Sequence, residues 1–172
     1  LDMSLYLPTG NEARIKAAYT NRDPRLNANV IVPYATYLGR PIDGADRTFT
    51  SRWPARLESS PTFDLFTDTR SNFYYLHRKY VYEGSTQLTT RVTRPTDFPI
   101  IRYADIALMW AEAINEIGFS QDAVDLVNTV RQRAGVGLLN SSAATTVTNQ
   151  DQLRERIRDE RRREFPNEGI NY

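Results

Sequence analysis

Residues 99 to 172 carry three runs of apolar side chains at helical spacing, and the first two are joined by only about two residues. That pairing constrains the fold most, because two amphipathic helices on so short a link must lie as antiparallel neighbours. The first helix is predicted from about Pro99 or Ile101 to Ile117. Ala104, Ala107, Leu108, Ala111, Ile114 and Ile117 share one face, and its alanines permit close helix approach. Gly118 is read as its C-terminal cap. The second helix is capped by Ser120, carries Asp122 in its first turn and buries Ala123, Leu126, Val127, Val130 and Ala134. Gly135 stops it. A small, polar loop follows from Val136 to Val147. Thr148 is placed to cap the third helix, with Asp151 three residues on. Leu153, Ile157 and Phe165 are its expected buried positions, and Pro166 lies just past its end. A single helical hairpin cannot bury both of its faces, so it must pack on the third helix or on something upstream.

The first 98 residues differ in character. Eight of the nine prolines fall at or before Pro99, and most of the aromatic residues lie there too. Asn11 to Thr20 reads as a short helix capped by Asn11, and Pro24 forbids its continuation. Val30 to Val32 and Phe73 to Tyr82 (FYYLHRKYVY) read as brief strands. Between them, Ala35 to Thr69 shows no convincing period, and a loop that long is commonly functional. The reading is therefore a mostly α chain, with a loop-rich region at 1–98 and a three-helix region at 99–172.

Several chemistries are excluded by what the chain lacks. It has no cysteine and one histidine, His77, so no thiolate nucleophile, histidine metal cluster or serine–histidine triad is expected. No cofactor or metal is predicted, and neither GxSxG, GxGxxG, a Walker loop nor HExxH occurs. The net charge of +1 gives no strong field for nucleic acid or a membrane surface. No apolar run approaches the ~18 residues of a membrane-crossing helix. The chain has no initiator methionine and reads as a fragment of a larger α domain.

Six arginines stand against five acids between Asp151 and Phe165. Pairs such as Asp151/Arg154, Glu155/Arg158 and Asp159/Arg163 predict a solvated, self-paired face rather than a nucleic-acid helix. Arginine outnumbers lysine 20 to 2, which suits bidentate pairing with carboxylates. Glu112 and Asn115 on the first helix, Arg131 and Arg133 on the second, and Glu160, Glu164 and Glu168 near the third predict a buried polar network where the helices meet.

Three motifs then come into register: RYADIALMWAEAINEIG at 102–118, NTVRQRAGV at 128–136 and ERRREFPNEG at 160–169. In order and interval they resemble the C-terminal part of the SusD/RagB family of outer-membrane nutrient-binding lipoproteins. NRDPRL at 21–26 and YLHRKY at 75–80 extend the likeness. Where that family often carries arginine near its C-terminal motif, this chain carries Asn171. The resemblance implies tetratricopeptide-like helical hairpins with long irregular loops and a few short strands. It implies a non-enzymatic protein at the cell surface, anchored in the outer membrane through a lipidated cysteine absent from this chain. Its partners would be an oligosaccharide or other nutrient and a TonB-dependent, SusC-like transporter. Sugars present apolar faces and hydroxyl rims, so Tyr34, Tyr37 and Trp53, with Arg52 at an edge, are the expected ligand-binding residues. A helical-repeat scaffold for a protein or peptide is the alternative, and a glycoside hydrolase a third.

Overall fold

The computed structural model describes residues 12–39, 47–50, 76–80 and 99–169. The chain divides into two compact units. One comprises Leu1–Arg22 and Leu26–Asp97, the other Asp23–Arg25 and Phe98–Tyr172. The molecule is mostly helical, with four short strands among the described residues.

The first unit begins with helix α1 (Glu12–Ala18). Its expected cap, Asn11, lies outside the described residues. The helix closes on a tight turn, as the amides of Tyr19 and Thr20 donate to Lys16 and Ala17 three residues back. Pro24 does more than bar the continuation of α1. It opens helix α2 (Pro24–Asn29), where its missing N–H and fixed φ suit the first helical position. Strand β1 (Val30–Ile31) pairs antiparallel with β4 (Leu76–His77), joining the two expected strands over two residues each. The stretch read as aperiodic holds β2 (Thr36–Gly39) and β3 (Arg47–Thr50), paired antiparallel with Tyr37 opposite Phe49. Four-residue strands are too short to display a period, so this pair was invisible in the sequence. Ile31, Val32 and Pro33 are buried.

The second unit is built on α3 (Tyr103–Ile117), α4 (Gln121–Arg133) and α5 (Gln150–Glu164). Helix α3 starts later than expected, after Arg102, which stands in extended conformation with no side-chain cap. Ala104, Ala107, Leu108 and Ala111 are buried as predicted, but Ile117 is 92% exposed. Gly118 occupies the C-cap position with φ 164, an extended backbone open to any residue. Gly135 is the true left-handed stop, at φ 69. Beside it, Gly135 N–H donates to Gln132 O and Val136 N–H to Arg131 O, the two bonds of a Schellman motif.

Ser120 Oγ accepts from Asp122 N–H at 3.1 Å and caps α4 as expected. The buried face of α4 includes Val124 with Ala123, Val127 and Val130, while Leu126 is only partly buried. The cap of α5 is Asn149, not Thr148: Asn149 Oδ1 accepts from Gln152 N–H at 2.9 Å. Gln152 reaches back to the Thr148 amide at 2.9 Å, a capping box shifted by one residue. Leu153 and Ile157 are fully buried and Phe165 nearly so, in one core with the α3 and α4 faces.

The loop read as merely small and polar also contributes to that core. Leu139 and Val147 are buried. Asn128 Oδ1 accepts from Leu139 N–H at 2.7 Å, and Asn140 Oδ1 from Val147 N–H at 2.8 Å. These side-chain bonds replace the backbone partners that a loop otherwise lacks.

Candidate functional site

An open cleft of about 570 Å³ lies in the first unit. That volume falls within the ~300–1,000 Å³ typical of small-molecule sites. One wall is the end of α1 and its turn, with Lys16, Asn21 and Arg22; the other is the segment from Val32 to Thr36. Ala35 N–H donates to Val32 O at 3.0 Å, which makes Val32–Ala35 a β-turn with Pro33 at its second position. Tyr34, at the third position, has φ 65. Such turns want glycine there, so a bulky tyrosine carries backbone strain of roughly 1–3 kcal/mol. Lys16 Nζ sits 5.1 Å from the centroid of the Tyr34 ring, a cation–π contact that helps fix it.

Arg78 forms the floor. Its amide donates to Asn29 O at 2.8 Å. Its guanidinium donates to Asn27 O at 3.3 Å and to Thr36 O. One side chain thus joins the end of α2 to the start of β2, and the cleft acquires a fixed base.

Of the expected ligand residues, Tyr34 lines this cleft. Tyr37 lies on β2, three residues beyond. Arg52 and Trp53 lie outside the described residues, as does Asn171. Lys16, Arg22 and Arg78 were not anticipated. Arg22 and Arg78 stand in the NRDPRL and YLHRKY stretches, but only chain folding brings them together.

The polar groups of the helical unit do a different job. Glu160 and Glu164 are 0% and 3% exposed. Glu160 takes Arg131 at 2.6 Å and Arg25 at 2.7 Å. Glu164 takes Arg25 at 3.0 Å, Arg102 at 2.8 Å and Arg133. Arg102 also meets Glu168 at 2.7 Å, and Asp105 meets Arg161 at 2.8 Å. Two guanidinium groups lie against the Phe165 ring, with Arg102 Cζ 4.8 Å and Arg161 Cζ 5.3 Å from its centroid. Burial pushes the Glu164 carboxyl up, but hydrogen bonds from Arg25 and Arg102 and the charges of Arg133 and Arg102 outweigh it. Its pKa is held below the usual glutamate range.

Asn115 completes the seam. Its Nδ2 donates to Gln150 O at 3.0 Å, and Gln150 Nε2 donates to Asn115 O at 2.6 Å. The expected network is therefore present at Asn115, Arg131, Arg133, Glu160, Glu164 and Glu168, and Arg25, Arg102, Asp105 and Arg161 join it. The self-paired face also exists, at Arg154–Asp151, Arg158–Glu155 and Arg162–Asp159, the last with Arg162 in place of the expected Arg163. Arg161 departs from it, being buried. Glu160 and Glu164 each meet two or more guanidinium groups, an arrangement that suits a clamp between segments.

A family model described as the SusD family matches residues 7–172. The chain belongs to the SusD family. Two SusD-like proteins of Formosa agariphila are similar to it. The one called P38 is 38% identical over 80 residues, covering 45% of this chain and 16% of the relative. The one called P2 is 34% identical over 106 residues, covering 60% and 21%. A crystal structure of a SusD-like protein from Bacteroides fragilis superposes with a TM-score of 0.65 at 28% identity, over 88% of this chain and 27% of that one. The chain thus spans well under a third of the relatives it matches. The tetratricopeptide-like helical reading stands with the SusD-like fold. Membership accounts for both parts of the chain, because the match runs through the cleft segments as well as the arginine-clamped helices.

Proposed function

We propose that this chain is part of a cell-surface glycan- or nutrient-binding protein, held at the outer membrane, that hands its ligand to a TonB-dependent, SusC-like transporter. Membership of the SusD family carries the reading. It is supported by a cleft of ligand size floored by Arg78 and bordered by Tyr34. In this reading Tyr34 is the stacking platform, with Tyr37, Trp53 and Arg52 contributing from the following segment. The protein binds without turning its ligand over.

A planar aromatic face contributes roughly 0.5–1.5 kcal/mol beyond area burial, so losing one weakens binding by up to about tenfold. Calorimetric titration with a panel of oligosaccharides, before and after Tyr34→Ala, is the test. Reduced affinity in a folded variant is the expected result. Cleavage of a bound oligosaccharide would overturn the binding-protein reading. A second reading, a helical-repeat scaffold for a protein or peptide, draws on the exposed Tyr103, Trp110 and Ile117 of α3. Capture of a peptide in preference to any sugar would favour it.

A further inference from the structure

The cations of the two units are treated differently. In the helical unit eight arginines, from Arg25 to Arg162, each meet a carboxylate within 3.2 Å. In the cleft, Lys16 and Arg22 line one volume, and no aspartate or glutamate is among the described residues that line it. Lys16 and Arg22 are exposed and form no ion pair with any described residue. Lysine is also scarce: two in the chain, against 20 arginines. One of those two overhangs the Tyr34 ring at the cleft.

We propose that the cleft selects an acidic sugar, holding a carboxylate or sulfate ester between Lys16 and Arg22 while the ring stacks near Tyr34. This rests on the cleft being the sugar site. The chemistry follows from charge and surroundings. Two like charges lining one cleft, with no carboxylate among the described lining residues, repel, and an anion placed between them relieves that repulsion. Val32, Pro33 and Tyr34 on the facing wall offer the apolar surface that a sugar ring can cover. Arg78, its guanidinium held by Asn27 and Thr36, shapes the base of the cleft. A flexible lysine beside an arginine fork accepts either anion shape, the planar carboxylate or the tetrahedral sulfate.

The test is calorimetric titration of the full chain with four probes: hexagalacturonate, its methyl ester, a sulfated galactan hexasaccharide and its desulfated counterpart. The expected result is an acidic form binding about tenfold more tightly than its neutral partner, as two partly exposed ion contacts allow. That preference shrinks with added salt and is abolished in the double variant Lys16→Gln, Arg22→Gln. Arg14→Gln, on α1 but off the cleft, leaves it unchanged and controls for net charge. A preference in the galacturonate pair alone assigns a carboxylate, and in the galactan pair alone a sulfate. Equal binding of acidic and neutral probes, indifferent to the double variant, overturns the charge selection while leaving a sugar site. No binding of any probe overturns both.

Discussion

Glu164 is nearly buried yet ionised, because three guanidinium groups from distant parts of the sequence close on it. Removing one partner of a buried ion pair leaves its counter-charges stranded, at a cost of roughly 3–5 kcal/mol. Glu164→Ala is expected to lower the unfolding free energy by that order, read from urea titration, and a midpoint close to wild type would show the lattice to be ornamental. The pH dependence has a definite sign. The folded pKa of Glu164 lies below its unfolded value, as does that of Asp23 beside Arg25, where burial raises it but hydrogen bonds to Arg25 prevail. Their stabilisation is complete above the ordinary carboxylate range and is lost as pH falls through the depressed folded values. Thermal melts should be flat near neutrality and fall in acid. Glu164→Gln should make that fall shallower.

Helix ends carry the next set of expectations. Asn149 caps α5, so Asn149→Ala should cost about 1 kcal/mol. Thr148→Ala should cost less, since the Thr148 amide keeps its bond to Gln152. Chemical denaturation of the two variants ranks them, and the reverse order would return the cap to Thr148. Gly135 and Gly118 make a matched pair, because a Cβ added at either meets nothing within 4 Å. Gly135→Ala is strained by φ alone, by about 1–2 kcal/mol, whereas Gly118→Ala is tolerated. Packing is tested at Leu153, fully buried against α3 and α4. Leu153→Ala should cost roughly 2–5 kcal/mol, and an unchanged unfolding midpoint would mean that α5 is not docked.

For the molecule as a whole, the outer side of α3 stands out. Tyr103, Ile106, Trp110 and Ile117 are 69%, 45%, 60% and 92% exposed, and fall on one stripe of the helix. A contiguous apolar stripe in water favours association. Sedimentation velocity of the chain should therefore show concentration-dependent species, reduced by the pair Trp110→Glu, Ile117→Lys. A monomer at all concentrations, with no binding of an apolar dye, would show that this stripe is covered.

The helical unit was legible in advance because its signals are local: a 3.6-residue apolar beat, Ser120 as cap, Gly135 as stop, and Leu153, Ile157 and Phe165 as core. The buried lattice was anticipated in kind, since glutamate and arginine at helix seams are tolerated only as partners. Arg25 was not assigned to it, because nothing in NRDPRL says that residues 23–25 belong with a unit that begins at Phe98. The β2–β3 pair and helix α2 escaped notice, being shorter than the period that would reveal them. At the cleft, aromatic content alone singled out Tyr34, whereas the cations around it come from two separated segments, the end of α1 with its turn and the residue after β4. A sequence determines which side chains seek burial at a repeating spacing. Which charges meet, and which come to line one cavity, is decided only when distant segments are folded to within a few ångströms of each other.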